Sequence, residues 1–265
     1  MHHSALLNVM IAAARKAARA LKRDFGELEK LQVSLKGPGN FVTAADRRAE
    51  ETLYTELMKA RPGYGFLGEE GGRREGADKT HTWIVDPLDG TTNFLHGIPH
   101  FAISIALERE TTVVAGLIYN PASEDMFIAE RGKGAFLNEH RIRVAGRKLL
   151  GDAVVACGLP HQGRGDIARA RKETGTMQEH VAGLRRFGAA ALDLAWVAAG
   201  RLDGYWERDL KPWDMAAGII LIREAGGFVT DCDGGEDMFH TGHIAAGNEA
   251  IQKELLAVLK IAGKG

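Results

Sequence analysis

The spacing of apolar residues predicts a long helix at the start of the chain. Leu6, Met10, Ala17 and Leu21 recur on one face at helical intervals, and basic residues spread around the other face. The pattern therefore predicts an amphipathic helix over residues 4–30.

A loop and a second helix follow. Two glycines flank a proline within residues 35–41, and this composition predicts a loop. Thr43 and Asp46 stand three residues apart before a new helical pattern, an arrangement that resembles a capping box with aspartate in the place of glutamate. The second helix is expected to end near Ala60, because an arginine, a proline and a glycine follow it.

Short apolar runs bounded by glycines or charged turns predict strands in the centre of the chain. These strands are residues 64–67, 83–85, 101–107, 112–119, 126–130 and 134–137. The run at 83–85 breaks into two carboxylates, Asp86 and Asp89, with Pro87 between them. Gly90 then frees the backbone for a sharp turn.

From residue 153 onward, short apolar runs alternate with helical patterns. The predicted strands are 153–157, 184–187, 202–207, 228–230 and 243–246, and the predicted helices are 167–181, 189–199, 213–225 and 249–261. The change in pattern falls near residues 145–151, which do not have the composition of a linker. We therefore expect one mixed α/β domain over residues 1–265, with halves of about 1–147 and 148–265.

Composition narrows the class of protein without naming its chemistry. The chain of 265 residues is 45% hydrophobic and 26% charged, as ordinary globular proteins are. Its formal net charge of -1 indicates no basic field for nucleic acid or an anionic membrane. The apolar runs fall short of the roughly 20 residues that span a bilayer. Near the N-terminus basic residues follow apolar ones, the reverse of a secretory signal, and two cysteines without metal-like spacing favour a cytoplasmic protein with reduced thiols.

Acidic and hydroxyl side chains gather at the ends of four predicted elements. These side chains are Asp46 with Thr43, Glu69 with Glu70, Asp86 with Asp89 and Thr91, and Asp214. An unpaired carboxylate is costly to bury, so we expect the acidic groups to converge on a cation. Mg²⁺ prefers oxygen ligands of this kind, and a cluster of them suits two ions about 4 Å apart. The histidines and cysteines form no grouping that favours zinc.

Each acidic segment has a simpler interpretation when it is taken alone. Asp-Pro and Asp-Gly pairs are common in polar turns, and Glu69 next to Glu70 is typical of a solvated surface. Asp214 alone could be a helix N-terminal acid that the helix dipole stabilises. Thr43 is expected only to cap its helix. The occurrence of all four segments in one chain favours the metal site.

Four motifs follow one another in a characteristic order. They are Phe41-Val42-Thr43-Ala44-Ala45-Asp46, Gly68-Glu69-Glu70, Asp86-Pro87-Leu88-Asp89-Gly90-Thr91-Thr92-Asn93-Phe94, and Trp213-Asp214-Met215-Ala216-Ala217-Gly218 with Glu224-Ala225-Gly226-Gly227. In this order and spacing they resemble the inositol monophosphatases, which belong to the lithium-sensitive, Mg²⁺-dependent sugar phosphatases. The match runs from about residue 36 to residue 248, and residues 185–204 are most similar to bacterial members. The resemblance implies an α/β/α/β/α layered sandwich, a homodimer and inhibition by Li⁺.

The resemblance also implies a set of metal ligands. Glu69, Asp86 and the backbone carbonyl of Leu88 would bind the first Mg²⁺. Asp86, Asp89 and Asp214 would bind the second, so that Asp86 bridges the two ions. A weaker third ion would lie near Glu69, which gives two to three Mg²⁺ per subunit.

The catalytic groups come from the same resemblance. Thr91, hydrogen-bonded to Asp46, would help Glu69 to position and deprotonate the attacking water. The expected reaction is direct in-line attack of metal-bound water, with no covalent intermediate on the protein. Lys36 matches a loop position that approaches the metal site.

The substrate would be held by two groups of residues. By resemblance, the backbone amides of Gly90 and Thr91 hold the phosphate, in keeping with the affinity of helix N-termini for anions. The side that receives the sugar hydroxyls would be lined by Gly188, Ala190, Glu207 and Asp214.

These expectations indicate a Mg²⁺-dependent phosphomonoesterase that acts on myo-inositol 1-phosphate or a related polyol phosphate. Related chains hydrolyse fructose 1,6-bisphosphate, histidinol phosphate, NADP or nucleotide 3′-phosphates, and the choice would depend on residues 157–163 and on Glu207. A different alternative is a binding partner of the transcription or RNA-processing machinery. The intact set of carboxylates favours an enzyme.

Overall fold

The first helix of the molecule supplies one outer layer. The computed structural model describes residues 3–27, 33–37, 40–160 and 165–263, without the side chains of 33–37 and 40–42. Helix α1 (Ala5–Phe25) begins at Ser4, whose hydroxyl accepts a hydrogen bond from a backbone amide of the first turn. It ends at Phe25 rather than near residue 30, and residues 28–30 lie outside the described part of the chain.

The predicted loop at residues 35–41 is wrong. Strands β1 (Val33–Gly37) and β2 (Asn40–Thr43) pair there as an antiparallel hairpin. Residues 35–37 and 40–41 extend as strands, although the composition of the segment is typical of a loop.

The second helix begins as the sequence predicts. Helix α2 (Ala44–Ala60) starts with a capping box, since Thr43 Oγ1 accepts from the Asp46 amide while Asp46 Oδ2 accepts from the Thr43 amide at 2.9 Å. This reciprocal pair satisfies two backbone donors that a helix start leaves open. The capping prediction is confirmed, and Asp46 is thereby fixed at the buried first turn of α2.

The central strands form one large sheet. They are β3 (Gly65–Gly68), β4 (Gly72–Arg74), β5 (His81–Asp89), β6 (Ala102–Arg109), β7 (Thr112–Asn120), β8 (Asp125–Glu130), β9 (Gly134–Leu137) and β10 (His140–Arg141). Their order across the sheet is β10-β9-β8-β7-β6-β5-β3-β4. Only β3 and β5 run parallel to each other within this sheet, so their C-terminal ends lie at the same end of the sheet. The sequence pattern did not predict β4 or β10, which are short and lie at the two edges.

Strand β5 runs through the acidic motif, although the sequence predicts a strand that ends at residue 85. It pairs with β6 as far as Asp86 opposite Ser104, shifts register, and pairs again at Asp89 opposite Ala102. Pro87 lies in the irregular stretch, where a residue without an N–H causes no loss of a ladder hydrogen bond. The bulge keeps Asp86 and Asp89 on a strand that is anchored on both sides.

The C-terminal half carries a second, smaller sheet. It consists of β11 (Val154–Cys157), β12 (Gly183–Arg185), β13 (Gly204–Glu207), β14 (Phe228–Thr230) and β15 (Ile244–Gly247), in the order β12-β11-β13-β15-β14. The helices of the remaining chain are α3 (Thr91–Leu95), α4 (Ile167–Gln178), α5 (Ala190–Ala198), α6 (Pro212–Glu224), α7 (Met238–Thr241) and α8 (Glu249–Ala262). These boundaries agree with the predicted alternation to within a few residues.

Five layers result from the packing of these elements. Helices α1 and α2 cover one face of the large sheet, and α5 and α6 cover the other. The same α5 and α6 also pack on the small sheet, whose far side is covered by α4 and α8. Three apolar clusters occupy the spaces between the layers. The predicted α/β/α/β/α sandwich is confirmed. Among the described helices, none is long and apolar enough to cross a bilayer.

The central layer depends on close approach of α6 to the large sheet. A Cβ at Gly116 of β7 would lie 2.5 Å from Ile220 Cγ2 and 2.9 Å from the Ala217 carbonyl oxygen. Because one of these neighbours is helix backbone, it cannot rotate away. Glycine at this position therefore sets the distance between the sheet and the helix.

We expect Gly116→Ala to lower the free energy of unfolding by about 1 to 3 kcal/mol, since an extra methyl group must push α6 off the sheet. The measurement is urea unfolding followed by circular dichroism. Gly146→Ala is the matched control, because a Cβ there meets no atom within 4 Å. Equal stability of the two variants would contradict this account of the layer spacing.

Candidate active site

The residues singled out from the sequence meet at one cavity. It has a volume of about 210 Å³ and lies where the end of β5 faces the small sheet. Of the site residues named above, those that line it are Glu69, Asp86, Leu88, Asp89, Gly90, Thr91, Gly188, Ala190, Glu207 and Asp214. Asp46 lies behind the wall rather than on it. The side chain of Lys36 is outside the described residues.

Asp86 is a deeply buried acid of the cavity wall. Its side chain is 2% exposed, and Oδ1 accepts a hydrogen bond of 2.9 Å from the amide of Leu88. Burial raises the pKa of Asp86 well above its ordinary value, and the charges of Glu69, Asp89 and Asp214 raise it further. A carboxylate in such surroundings is stabilised in its charged form by a nearby cation.

Asp89 and Asp214 come from opposite halves of the chain. Asp89 Oδ2 accepts from the amide of Ala191 at 2.8 Å, which ties the end of β5 to the first turn of α5. Asp214 Oδ2 accepts from the amide of Lys211 at 2.7 Å, and this contact fixes the carboxylate at the start of α6. Burial and then the charge of Asp214 raise the pKa of Asp89 well above its ordinary value.

Thr91 links the cavity to α2. Its hydroxyl lies 3.1 Å from Asp46 Oδ1 and 3.1 Å from the carbonyl oxygen of Leu88. Both neighbours are acceptors, so the single hydroxyl proton points toward them and an oxygen lone pair is left toward the cavity. Burial raises the pKa of Asp46, while the hydrogen bonds from Thr43 and Thr91 oppose that effect.

Glu50 is a supporting residue that the sequence analysis missed. Its Oε2 accepts from the amide of Glu70 at 2.8 Å and its Oε1 from the amide of Gly71 at 2.7 Å. A Cβ at Gly68 would lie 2.5 Å from Glu50 Oε2, so the turn must begin with glycine. The carboxylate of Glu50 thus fixes the turn that carries Glu69. A signal existed, because Glu50 follows Asp46 by one helical turn on the same face of α2.

Asn93 was also missed, and it joins the segment after β5 to the segment before α5. Its Nδ2 donates to the carbonyl oxygens of His100 and Phe187, at 2.8 Å in each case. Gly90 (φ 85°) and Gly188 (φ 87°) lie on the two segments that this amide connects. Both have a left-handed backbone, which glycine adopts at no steric cost.

Asp193 is a buried acidic residue of the wall that the sequence analysis did not name. It is 1% exposed on the otherwise apolar helix α5, and its Oδ1 lies 3.4 Å from His100 Nε2. Burial raises the pKa of Asp193, and the bond to His100 opposes the rise. A lone acid within an alanine-rich helix was the available signal. The contact agrees with the expectation that the histidines are satisfied residues rather than ligands.

Glu207 lines the cavity from the end of β13. Burial raises its pKa to about 8, the hydrogen bond from the Tyr205 hydroxyl lowers it, and Asp214 raises it again. Arg186 also lines the cavity, and its charge lowers the pKa of Glu207. The cavity wall thus includes two cations, Arg186 and Arg208, whereas the acids at the end of β5 face one another.

The acidic cluster has the ligand chemistry of a site for a hard divalent cation. Its side chains are not spaced to hold one. Among the described residues, no group of three or more His, Cys, Asp or Glu side chains is arranged so that it could hold a metal ion. Glu69, Asp89 and Asp214 nevertheless lie close enough to raise the pKa of Asp86. Carboxylate oxygens are the ligands that a hard divalent cation prefers, so the chemistry of these side chains fits Mg²⁺.

The layered sandwich and the acidic cavity together define an α/β protein built around a carboxylate cluster. A model of the inositol monophosphatase family matches residues 2–263. The chain belongs to this family, and the resemblance carried by the four motifs is confirmed.

Relatives of the chain carry two kinds of name. The inositol-1-monophosphatase of Mesorhizobium japonicum is 62% identical, over 98% of this chain and 98% of the relative. The Nus factor SuhB of Escherichia coli K12 is 40% identical, over 96% of each chain. A crystal structure of the extragenic suppressor protein suhB from Bartonella henselae is 56% identical, covers 97% of this chain and 99% of its own, and superposes with a TM-score of 0.95.

Asp86→Asn is expected to stabilise the metal-free protein. The pKa of Asp86 is raised in the folded state, so folding binds protons and stability falls as pH rises above the ordinary carboxyl pKa of about 4. At pH 8 the variant should gain about 1 to 3 kcal/mol, because it no longer buries a charge. The gain should shrink toward pH 5.

Thermal and urea unfolding in EDTA, repeated between pH 5 and pH 8, measure this effect. Glu51→Gln, which neutralises an exposed acid on α2, is the control and should change neither stability nor its pH dependence. If the Asp86→Asn variant is less stable than the wild type at pH 8, the account of mutual repulsion among the acids is contradicted.

Proposed function

We propose that this protein is a Mg²⁺-dependent phosphomonoesterase that hydrolyses myo-inositol 1-phosphate or a closely related polyol phosphate. The observation that carries the proposal is Asp86, a buried carboxylate whose pKa is raised by three other acids at one cavity. Hard divalent cations are bound by such oxygen clusters together with substrate phosphate.

Glu69, Asp86 and the carbonyl of Leu88 would hold one Mg²⁺, and Asp86, Asp89 and Asp214 a second, with a weaker third ion near Glu69. Bound Mg²⁺ would neutralise the phosphate dianion and lower the pKa of a coordinated water. The backbone of this site is already fixed, because β6 and α5 anchor β5 on either side of Asp89. Such preorganisation favours the transition state, in which negative charge is spread over the phosphoryl oxygens and the leaving oxygen.

The chain's own groups would orient the nucleophile and the phosphate. The hydroxyl proton of Thr91 is held by Asp46 and Leu88, so its oxygen is free to accept a hydrogen bond from the attacking water. Glu69, on the turn fixed by Glu50, would take up the proton of that water. The amides of Gly90 and Thr91 would bind the phosphate oxygens.

The cysteine closest in sequence to the cavity wall is buried and protonated, and this agrees with direct attack by water. Cys157 precedes Gly158, which lines the cavity, but its own side chain is 1% exposed. Burial raises the pKa of the Cys157 thiol to about 12, so it stays protonated at neutral pH. A protonated, buried thiol is a poor nucleophile. In-line displacement without a phosphoenzyme is therefore the proposed course.

The polyol would lie against Gly188, Ala190, Glu207 and Asp214. The name of the Mesorhizobium japonicum relative, at 62% identity, supports inositol 1-phosphate as the first substrate to test. Fructose 1,6-bisphosphate, histidinol phosphate, NADP and nucleotide 3′-phosphates are the alternatives for a substrate panel. We also propose a homodimer and a cytoplasmic location, in keeping with the family and with the reduced cysteines.

Purified protein with Mg²⁺ should release phosphate from myo-inositol 1-phosphate. Asp89→Ala and Asp214→Asn should each lower kcat by at least about 100-fold, because each removes a ligand of the second ion. A malachite green assay for phosphate measures this, with Asp152→Asn as a control at an exposed aspartate. Activity that persists in EDTA would contradict the metal mechanism.

Millimolar Li⁺ should inhibit the reaction, since it would compete at the position held by Asp86, Asp89 and Asp214. The inhibition is measured at fixed Mg²⁺, with equal concentrations of Na⁺ and K⁺ as controls for ionic strength. If all three ions have the same effect, the second metal position is not the site of Li⁺ action.

A second candidate function is contact with the transcription machinery. It is favoured by the relative named Nus factor SuhB in Escherichia coli, at 40% identity over nearly the whole chain. The net charge of -1 gives no direct indication of nucleic-acid binding, so a protein partner is the form this function would take.

An Asp89→Ala allele separates the two functions. If the biological role is catalytic, a strain with this allele should show the defect of a deletion strain, and affinity purification should recover no polymerase subunits. Normal growth of the catalytically dead strain together with recovery of those subunits would favour the partner function.

A further inference from the structure

The carboxylate of Glu207 reaches its place in the cavity because of how two strands of the small sheet pair. Strands β11 and β13 are parallel, with Cys157 opposite Trp206. The amide of Gly158 then donates to the carbonyl oxygen of Trp206 at 3.1 Å. This register brings Gly158, the first residue after β11, directly beside Glu207, the last residue of β13.

Gly158 leaves the space that the Glu207 carboxylate fills. A Cβ at Gly158 would lie 1.7 Å from Glu207 Cδ, 2.0 Å from Oε1 and 2.1 Å from Oε2. These distances are far below any van der Waals contact, so no other residue admits the observed position of the carboxylate. Gly158 does not have a left-handed backbone, and its requirement for glycine is therefore one of space rather than of conformation.

Tyr205 holds the same carboxylate from the other side. Its ring is fully buried in β13, and its hydroxyl donates a hydrogen bond to Glu207 Oε2. A fully buried ring has no freedom to move the hydroxyl, so the position of Glu207 is fixed by a rigid donor. Tyr205 does not line the cavity, whereas Gly158 and Glu207 do.

We propose that Gly158 and Tyr205 are positioning residues that set the Glu207 carboxylate against the alcohol of the substrate and so determine selectivity for polyol phosphates. The inference rests on the proposed function, because it assigns the side of the cavity beyond the phosphate to an alcohol. A carboxyl group held in one position makes directional hydrogen bonds with hydroxyl groups, and a displaced one leaves them unpaired.

Gly158→Ala should move Glu207 rather than unfold the protein. The atoms that a methyl group would meet are all at the end of the flexible Glu207 side chain, which can rotate away. Tyr205→Phe removes the hydroxyl and adds no atom, so it should loosen Glu207 without changing the packing of the ring. The two variants perturb the same carboxylate by independent means.

Two substrates distinguish a positioning role from a general loss of activity. Myo-inositol 1-phosphate presents hydroxyl groups, whereas the leaving group of p-nitrophenyl phosphate presents none of this kind. Each variant should lower kcat/KM for inositol 1-phosphate by about tenfold or more, a loss typical of a hydrogen bond to a charged group, and change that for p-nitrophenyl phosphate less than about twofold. Gly151→Ala, where a Cβ meets no atom within 4 Å, should leave both substrates unaffected.

A double-mutant cycle with Glu207→Ala is the decisive experiment. If Gly158 and Tyr205 act only through the carboxylate, then neither substitution should lower kcat/KM further once Glu207 is alanine. Should Gly158→Ala fail to fold in thermal unfolding, the cycle with Tyr205→Phe carries the test alone.

The outcomes separate this inference from the proposed function. Equal losses on both substrates, or losses that add fully to that of Glu207→Ala, would overturn the positioning role while the wild type remains an active phosphatase. A wild type that hydrolyses neither ester with Mg²⁺ would overturn the proposed function, and the selectivity role would be lost with it.

Discussion

The repulsion among four carboxylates at the end of β5 is the constraint on which the rest of the site depends. Asp86 is almost fully buried, and three acids raise its pKa in addition to burial itself. Such a group resists folding unless the backbone around it is held by other contacts. The anchors are the Leu88 amide within β5, the pairing with β6, and the Ala191 amide that binds Asp89. Asp86 and Asp89 stay together because the strand that carries both of them is anchored on either side.

The same constraint explains why the two sheets meet where they do. Asp214 arrives on α6 from the other half of the chain, and Ser104 of β6 donates to the carbonyl oxygen of Trp213 beside it at 3.2 Å. Asn93 adds a third link, from α3 to the segment before α5. These contacts all join the large sheet to the central helical layer close to the cavity. The contacts that close the sandwich are therefore the same contacts that assemble the site.

The sequence predicted the acidic groups well because their chemistry is local, and missed the residues that hold them because those contacts are not. Asp86 and Asp89 share one short segment, whereas Glu50 supports the turn of Glu69 from 20 residues away and Asn93 binds Phe187 from 94 away. Periodicity also failed at residues 35–37 and 40–41, which pair as strands although their segment has the composition of a loop. The layered architecture followed from the family resemblance rather than from the apolar pattern, which indicated only mixed α/β.

The support of the acidic end differs physically from the support of the alcohol side. Electrostatic repulsion governs Asp86, Asp89 and Asp214, and backbone amides hold each of them in place. Glu207 is governed instead by shape, since a glycine leaves its space and a buried tyrosine supplies its donor. Because β11 and β13 carry this second arrangement, a change there can alter the acceptor presented to an alcohol without changing the charge at β5. Under the proposed function, this separation would let the released alcohol vary while the treatment of phosphate stays the same.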